Sequence, residues 1–353
     1  MPDWTSSMTQ YYEYYIVDPG TWKDIKKLDL IKSGGSISRD SEVETRGSAT
    51  FDTTGSLDEC YVRIYLVTIQ NGIRESTCLG TFLVQPPGGS FDGKVRSMTV
   101  DAYTPLLELK EKFPPIGYAL MKDSNIMDQA YSIVRENVRA PVVRPSCEKK
   151  LSGDFVSNVN DTWLSFNSDL VYNAKYTIEL DELSRVIFAP IQEVDKLQPV
   201  WTYTDDNSSI LHAEINMDCD IYDVPNVVEV SYSGENESYK VRVVNDDPNS
   251  PVSTVRRGRE IMHRDTNPSI SGIPTEAQIQ EYAEQLLKSM STVKCTISYT
   301  HGYCPVRVGD CVRLNYRRAD IVDVKAKVIR QTIKCSDGCP VQETAVYTKK
   351  LWR

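Results

Sequence analysis

Long apolar runs are missing from this sequence. No stretch approaches the roughly 20 consecutive apolar residues that a membrane-spanning helix needs, and the polar, tyrosine-rich residues 1–15 hold no apolar segment of the secretory type. We therefore expect no membrane segment and no secretory route. The nine cysteines are an odd number, which in a chain without a signal favours reduced thiols and assembly in a cytoplasm.

An excess of positive charge is also missing. The chain has 40 lysines and arginines against 49 aspartates and glutamates, a formal net charge of −9. An acidic surface gains nothing from counterion release on phosphate, so the composition disfavours sequence-specific binding of nucleic acid. Four arginines do cluster, and we interpret their run as a solvated loop: Arg256, Arg257, Arg259 and Arg264.

Catalytic signatures are missing as well. The three histidines, His212, His263 and His301, stand in unrelated contexts, and none belongs to a helical two-histidine zinc motif. The sequence has no Gly-x-Ser-x-Gly elbow and no phosphate-binding glycine loop. We therefore predict a protein that is not an enzyme, with no catalytic residue and no cofactor.

One group of four cysteines is a candidate metal site. Cys304, Cys311, Cys335 and Cys339 form two pairs whose members are separated by six and by three residues. This spacing lacks the two-residue knuckle typical of structural zinc sites. We favour free thiols and predict no metal, and metal analysis of the purified protein distinguishes the two.

The pattern that is present is that of β-strands. The chain has 20 tyrosines but only 7 phenylalanines, which suits half-buried strands and protein interfaces. Alternation over 61–66, 98–102 and 322–328 predicts strands with one buried face. Those faces hold Val62, Ile64 and Leu66, then Met98, Val100 and Ala102, then Val322, Val324, Ala326 and Val328. Turns are predicted at five places: Gly34-Gly35, Asn71-Gly72, Gly88-Gly89, Val308-Gly309-Asp310 and Asp337-Gly338.

Helices are predicted mainly in the middle of the chain. The clearest runs from Thr275 to Met290, because Thr275 and Gln278 fit a capping box and an apolar stripe follows at helical spacing. A second helix is predicted from Asn125 to Val138, and a third around residues 163–170. These assignments predict an α+β chain that is mainly β.

The order of several segments carries a resemblance. In the first half they are Tyr11–Tyr15, Thr21–Ile25, Ser48–Phe51, Tyr61–Leu66, Leu79–Pro87 and Val100–Leu109. In the second half they are Pro225–Val230, Val308–Leu314, Ile321–Ile333 and Lys350–Trp352. Over nearly the whole chain this succession resembles baseplate or tail-tip hub proteins of tailed bacteriophages, including the N-terminal hub domain of tail-associated proteins from Gram-positive phages and prophages.

The resemblance implies a specific fold. Hub proteins of this kind contain two small antiparallel β-barrel domains with inserted short-helix α/β elements. Applied to this chain, residues 1–112 are expected to form the first barrel and residues 113–200 a mixed α/β insert. Residues 201–292 supply connecting strands, loops and the helix at 275–290, and residues 293–353 close the second barrel.

The resemblance also implies an assembly. A homotrimer with two barrels in each chain makes a pseudo-sixfold ring, and a closed ring satisfies every interface without growing a filament. The expected partners are a distal tail protein or tail tube ring, a central spike or fibre protein and, as a further candidate, the tape measure protein. DNA passes through the channel, and the protein belongs to the virion after assembly in the host bacterial cytoplasm. Because the sequence stops at Arg353, we expect lysis and receptor binding to reside on other proteins of the particle.

Two other functions stay open from the residues. A tail-associated cell-wall hydrolase is the first, although it lacks a recognisable nucleophile or metal motif. A carbohydrate-binding adhesin module is the second, because tryptophans can stack on sugars. Five are dispersed along the chain, and we favour core or interface packing for each: Trp4, Trp22, Trp163, Trp201 and Trp352.

Overall fold

The structure is a computed structural model that describes residues 2–29, 31–85, 90–91, 96–206, 208–234, 237–270 and 274–352, with backbone alone at residues 32, 33, 90, 91, 96 and 97. Strands make up 45% of it and helices 16%, which confirms a mainly β chain. The chain forms two compact units. Unit 1 comprises Met1–Ile215 and Tyr299–Thr344, and unit 2 comprises Asn216–Ser298 and Ala345–Arg353.

Most strands of unit 1 belong to one antiparallel path. In chain order its first strands are β1 (Thr9–Val17), β2 (Asp24–Lys27), β3 (Ile31–Asp40), β4 (Gly47–Thr53), β5 (Cys60–Gln70), β6 (Ile73–Val84), β7 (Ser90–Phe91) and β8 (Arg96–Tyr103). Late in the chain come β19 (Cys311–Tyr316), β20 (Ile321–Lys334) and β21 (Pro340–Lys350). The pairing order is β21-β20-β3-β4-β8-β6-β5-β1-β2, and β13 (Pro199–Thr204) adds to β19 in parallel.

An α/β insert follows the first strands. It contains α1 (Leu107–Lys110), β9 (Ala119–Leu120), α2 (Ile126–Asn137), β10 (Phe155–Val156), α3 (Trp163–Asn173), β11 (Tyr176–Leu180) and β12 (Val186–Pro190). Its core lies between α2, α3 and the β11–β12 hairpin, where Ile126, Ala130, Phe166, Leu170 and Ile178 are buried. A 3-10 turn (Val194–Lys196) leads to β13, and another (Arg317–Ala319) separates β19 from β20.

Unit 2 has a simpler core. Its elements are β15 (Val227–Ser233), β16 (Ser238–Val244), α4 (Thr254–Arg257), β17 (Met262–Asp265) and α5 (Glu276–Met290), with strand order β16-β15-β17. Helix α5 packs on this sheet, and its contacts bury Ile279, Ala283 and Leu287 against Val228 and Val241. The chain passes between the two units within β14 (Leu211–Asp218), β18 (Thr292–Gly302) and β21.

The helix predictions are confirmed closely. The Thr275 side chain accepts a hydrogen bond from the Gln278 backbone N–H, and the Gln278 side chain accepts one from the Thr275 backbone N–H. Both halves of the capping box therefore form at the start of α5. Asn125 caps α2 by accepting hydrogen bonds from two backbone N–H groups, and α3 begins at Trp163. These helices were predictable because caps and apolar spacing are local features of the sequence.

Two strand predictions and one turn prediction need correction. The strand at 61–66 has two covered faces rather than one, because Tyr61 packs on Trp22 and buried Arg63 bonds to Asp24. Val322 is exposed, since Asp323 has a positive φ of 55° that interrupts the alternation of β20. Gly34-Gly35 lies inside β3 at a register shift rather than at a turn between strands. The face of Met98, Val100 and Ala102 is buried as predicted.

The Asn71-Gly72 turn joins β5 to β6, and both residues have positive φ, 51° and 78°, as a tight hairpin turn requires. The turn predicted at Gly88-Gly89, together with Pro86 and Pro87, lies outside the described residues. Among the described residues no sheet closes into a barrel, because the long path ends at strands with one partner each. The two-barrel arrangement is therefore not confirmed. In the part of the chain that the structure covers, no helix is long and apolar enough to cross a membrane.

Candidate functional site: a buried polar cluster and the surfaces around it

A cluster of polar side chains lies at the centre of unit 1. His301, at the end of β18, faces Glu343 of β21, with His301 Nε2 3.3 Å from Glu343 Oε1. Tyr299 donates to Glu343 Oε2 at 2.8 Å, and Tyr203 of β13 donates to the same oxygen at 3.2 Å. Gln331 of β20 donates to Glu343 Oε1 at 2.7 Å. We name these five residues the Glu343 cluster.

A buried arginine extends the cluster. Arg39 of β3 donates from Nη1 to Gln331 Oε1 at 2.6 Å and from Nη2 to the Leu79 carbonyl at 2.6 Å. The amide of Gln331 therefore connects the guanidinium to the Glu343 carboxylate. Such a chain of bonds satisfies buried charges that would otherwise be costly.

The geometry defines the protonation of His301. Its Nδ1 is 2.6 Å from the Gly302 carbonyl, and its Nε2 is 3.0 Å from Tyr203 Oη and 3.3 Å from Glu343. Since both nitrogens face acceptors, both carry protons and the ring is cationic. Burial alone would lower the pKa of His301, but its hydrogen bonds to Cys304 and Glu343 raise it to about 10. Burial would raise the pKa of Glu343, and the bond to His301 together with the cationic ring holds it below the usual value.

Cys304 lies beside the Glu343 cluster, and with His301 and Glu343 it supplies the three side-chain types of a nucleophilic triad. Cys304 Sγ lies 3.8 Å from His301 Nδ1, yet Cys304, His301 and Glu343 are each 0% exposed. A catalytic triad needs substrate at its nucleophile and a base that is free to accept a proton. A cationic histidine in a closed interior provides neither, so the arrangement is suited to holding strands together.

His301 stands apart from the other two histidines in the sequence, and no motif marks Glu343. A signal was present in the alternation of each strand. Glu343 stands between Val341 and Ala345 on the inward face of β21, and His301 follows Ile297 and Tyr299 on the inward face of β18. A polar residue at an inward position is buried, and a buried charge needs a partner.

The four cysteines considered as metal ligands fall into separate surroundings. Cys304 belongs to the neighbourhood of His301, whereas Cys335 and Cys339 lie beside Tyr14 and Tyr12. Burial and then Cys339 raise the pKa of Cys335 to about 12, and burial raises that of Cys339 to about 11. Among the described residues, no group of three or more His, Cys, Asp or Glu side chains is arranged to hold a metal.

Cys219 and Cys295 correct the expectation of reduced thiols throughout. They form a disulfide in unit 2 that spans 76 residues. Seven further cysteines are free. The remaining histidines, His212 and His263, lie apart from His301: His212 is exposed in β14, and His263 is half-buried in β17.

The tryptophans and the arginine run have packing roles. Trp4 packs edge-on against Tyr303 and Trp22 against Tyr61, while Trp163 belongs to the insert core. Trp352 lies under Lys288, and Trp201 is half-buried in β13. In the arginine run, Arg257 donates to backbone carbonyls, Arg259 lies over Tyr222, and Arg264 pairs with Glu229. Among the described residues, the tryptophans do not lie together on one surface where a sugar could stack.

Buried polar contacts also fasten the insert within unit 1. Arg46 donates to the Ile178 carbonyl at 2.8 Å, and Arg307 donates to that of Asp181 at 2.8 Å. Ser184 Oγ accepts a hydrogen bond from the Thr81 backbone at 2.8 Å. The β11–β12 hairpin is therefore held by β6 and by the segments that follow β3 and β18.

One apolar surface of the insert faces solvent. In the β9–β10 pair, Leu120 and Phe155 lie opposite each other and face the core, whereas Ala119 and Val156 lie opposite each other and face out. Other apolar side chains near these strands in sequence are exposed too, up to 92% for Ile116: Phe113, Ile116, Met121 and Val159.

Comparison with solved structures shows which proteins share this fold. No family model matches the sequence, and no curated protein matches it. Among solved structures, a tail protein from Neisseria meningitidis matches with a TM-score of 0.58 and 11% identity, covering 96% of each chain. The 43 kDa tail protein of prophage MuSo2 from Shewanella oneidensis matches with a TM-score of 0.57 and 10% identity, covering 95% of this chain and 97% of that one. From end to end, the chain has the fold of these phage and prophage tail proteins, as the resemblance in the sequence predicted.

Proposed function

We propose that this chain is a structural hub of a phage tail tip or baseplate. The observation that carries the proposal is the end-to-end similarity of fold to two tail proteins, with 95% or more of both chains covered. The role is non-enzymatic, and the closed interior around Glu343 supports this.

In the assembly that we propose, three copies form a pseudo-sixfold ring from two barrel-type modules in each chain. The ring joins the tail tube or distal tail ring to a central spike or fibre, with the tape measure protein as a further candidate partner. It resides in the virion after assembly in the bacterial cytoplasm, and DNA passes through it without sequence-specific binding.

The charge of the chain suits such a channel. With a net charge of −9, carboxylates and neutral groups can line the passage, and they hold DNA less than a lysine-rich wall would. Salt screens the repulsion beyond about 8–10 Å, so a duplex can slide. A basic ring of Arg and Lys side chains facing the axis would contradict this part of the proposal.

The decisive experiment is imaging of the assembled particle with this chain labelled. We expect three copies in a ring at the end of the tail tube. Two or six copies, or a label elsewhere in the particle, would reject the trimeric hub. As a functional control, purified chain incubated with host cell-wall material should release no fragments; turnover would favour the hydrolase instead.

A further inference from the structure

The Cys219–Cys295 disulfide lies where the chain enters and leaves unit 2. The longer piece of this unit is Asn216–Ser298, with Cys219 near its first residue and Cys295 near its last. The segment between the two cysteines contains β15, β16, α4, β17 and α5. The disulfide therefore closes a loop that holds both the sheet of unit 2 and the helix that covers it.

Strand pairing brings the two cysteines together. Cys219 directly follows β14 and Cys295 lies in β18, and these strands are neighbours in one sheet. The Cα atoms of the two cysteines are 4.5 Å apart, within the range of about 4.4–6.8 Å that disulfides require. Because the paired backbone sets this distance, the bond can form and break without a rearrangement of the chain.

The two sulfurs differ in their access to solvent. Cys295 is 0% exposed and packs among Val224, Val252 and Leu351, whereas Cys219 is half-buried and packs against the same group. Thiol–disulfide exchange needs a thiolate and a path for the incoming sulfur, and apolar surroundings disfavour a charged group. A small molecule therefore reaches the pair through Cys219.

We propose that this disulfide is a redox lock on unit 2, formed by exchange with a small-molecule disulfide such as glutathione disulfide. The Cys219 thiolate attacks one sulfur of that molecule, releases a small thiolate and forms a mixed disulfide. The Cys295 thiolate then attacks the Cys219 sulfur and releases the second small thiolate. The two cysteines give up two protons and two electrons, which reduce the small disulfide to two thiols. This inference does not depend on the proposed hub function.

The lock acts on unit 2 and not on unit 1. A disulfide stabilises the folded chain by restricting the unfolded one, more strongly when the closed loop is long. The loop between Cys219 and Cys295 spans 76 residues and belongs entirely to unit 2. Oxidation should therefore make unit 2 open more rarely, while the opening of unit 1 stays the same.

Hydrogen exchange of the full chain tests the lock without any variant. Amides of β15 and β16 report on unit 2, and amides of β5 and β6 report on unit 1. The chain is compared in glutathione disulfide and in excess dithiothreitol. We expect β15 and β16 amides to exchange about 30- to 1000-fold faster in the reduced chain, whereas β5 and β6 amides should change little. Peptide mapping of the oxidised sample should find Cys219 linked to Cys295.

Variants then test which cysteines carry the effect. Cys219→Ser should abolish the difference between the two conditions. The matched control Cys60→Ser, which removes a half-buried free thiol of unit 1, should keep the full difference. After treatment with glutathione disulfide, mapping should find glutathione on Cys219 in Cys295→Ser and none on Cys295 in Cys219→Ser.

Three outcomes would overturn the proposal. Equal exchange of β15 and β16 amides in the two conditions would reject the lock, and so would a link from Cys219 to another cysteine. Glutathione on Cys295 in Cys219→Ser would reject Cys219 as the exchanging sulfur. If a variant does not fold, the oxidised and reduced forms of the unaltered chain still decide whether unit 2 is locked.

Discussion

The two units are stabilised in different ways. The centre of unit 1 contains Glu343, His301 and Gln331, all fully buried and bonded to one another. The centre of unit 2 is aliphatic, with Val228 and Val230 of β15 covered by Ile279 and Leu287 of α5. The centre of unit 1 is therefore sensitive to the pairing of charges, whereas the centre of unit 2 is sensitive to filled volume.

The difference has a consequence for specificity. An aliphatic core tolerates substitutions that keep volume, whereas a buried charged network tolerates few single changes, because each one leaves a charge without a partner. Unit 1 joins residues of β3, β13, β18, β20 and β21 through its network. A network of this kind fixes the pairing of distant strands, in keeping with the assembly role that we propose.

Loss of a single buried charge should have the largest effect. Glu343→Gln keeps the size of the side chain but leaves the cationic His301 without its counter-charge. Breaking a buried pair in this way costs about 3–5 kcal/mol of the free energy of unfolding, measured by hydrogen exchange of β20 and β21 amides. The control is Glu284→Gln on the exposed face of α5, where Glu284 accepts a hydrogen bond from Gln280, and it should stay within about 0.5 kcal/mol. Equal effects of the two variants would mean that the network does not stabilise unit 1.

In unit 2 the strongest effect should follow from lost volume. Leu287→Ala removes a fully buried side chain and should cost about 2–5 kcal/mol. Leu286 is half-buried on the same helix, so Leu286→Ala should cost less, below about 2 kcal/mol. Hydrogen exchange of β15 and β16 amides reports both. A larger loss for Leu286 than for Leu287 would contradict the packing of α5 on this sheet.

The stability of the two units should also depend differently on pH. The pKa of His301 is raised from 6.5 to about 10. Its stabilisation is therefore fully present below about pH 6.5 and is lost as pH rises through 10. Between pH 7 and pH 9, unit 1 should lose up to about 1.4 kcal/mol per pH unit, while amides of β15 and β16 should change little. His301→Gln should remove this slope, and a slope that persists in the variant would assign it to other groups.

The sequence predicted local features and missed distant ones. The capping box at Thr275, the Asn71-Gly72 turn and the buried face of Met98 were predictable because each depends on residues a few positions apart. The Glu343 cluster was not, because its members come from four strands spread between residues 203 and 343 and the contacts depend on how those strands pair. The sequence did not predict that the face of Tyr61 and Arg63 is covered as well, because Trp22 and the insert, which cover it, are distant in sequence.

The smallest effect should come from a charge at the surface of unit 2. Lys240 is 67% exposed and pairs with Glu229 at 3.3 Å, and Arg264 contacts the same carboxylate oxygen at 3.2 Å. Exposed pairs contribute about 0–1 kcal/mol, and here Arg264 remains when the lysine is removed. Lys240→Met should therefore change the free energy of unfolding by less than about 0.5 kcal/mol, whereas Glu343→Gln should change it by about 3–5 kcal/mol. The pair should also weaken with salt, because exposed charges are screened. A loss for Lys240→Met as large as that for Glu343→Gln would show that burial does not separate the charged pairs of the two units, and the contrast between the units would then fail.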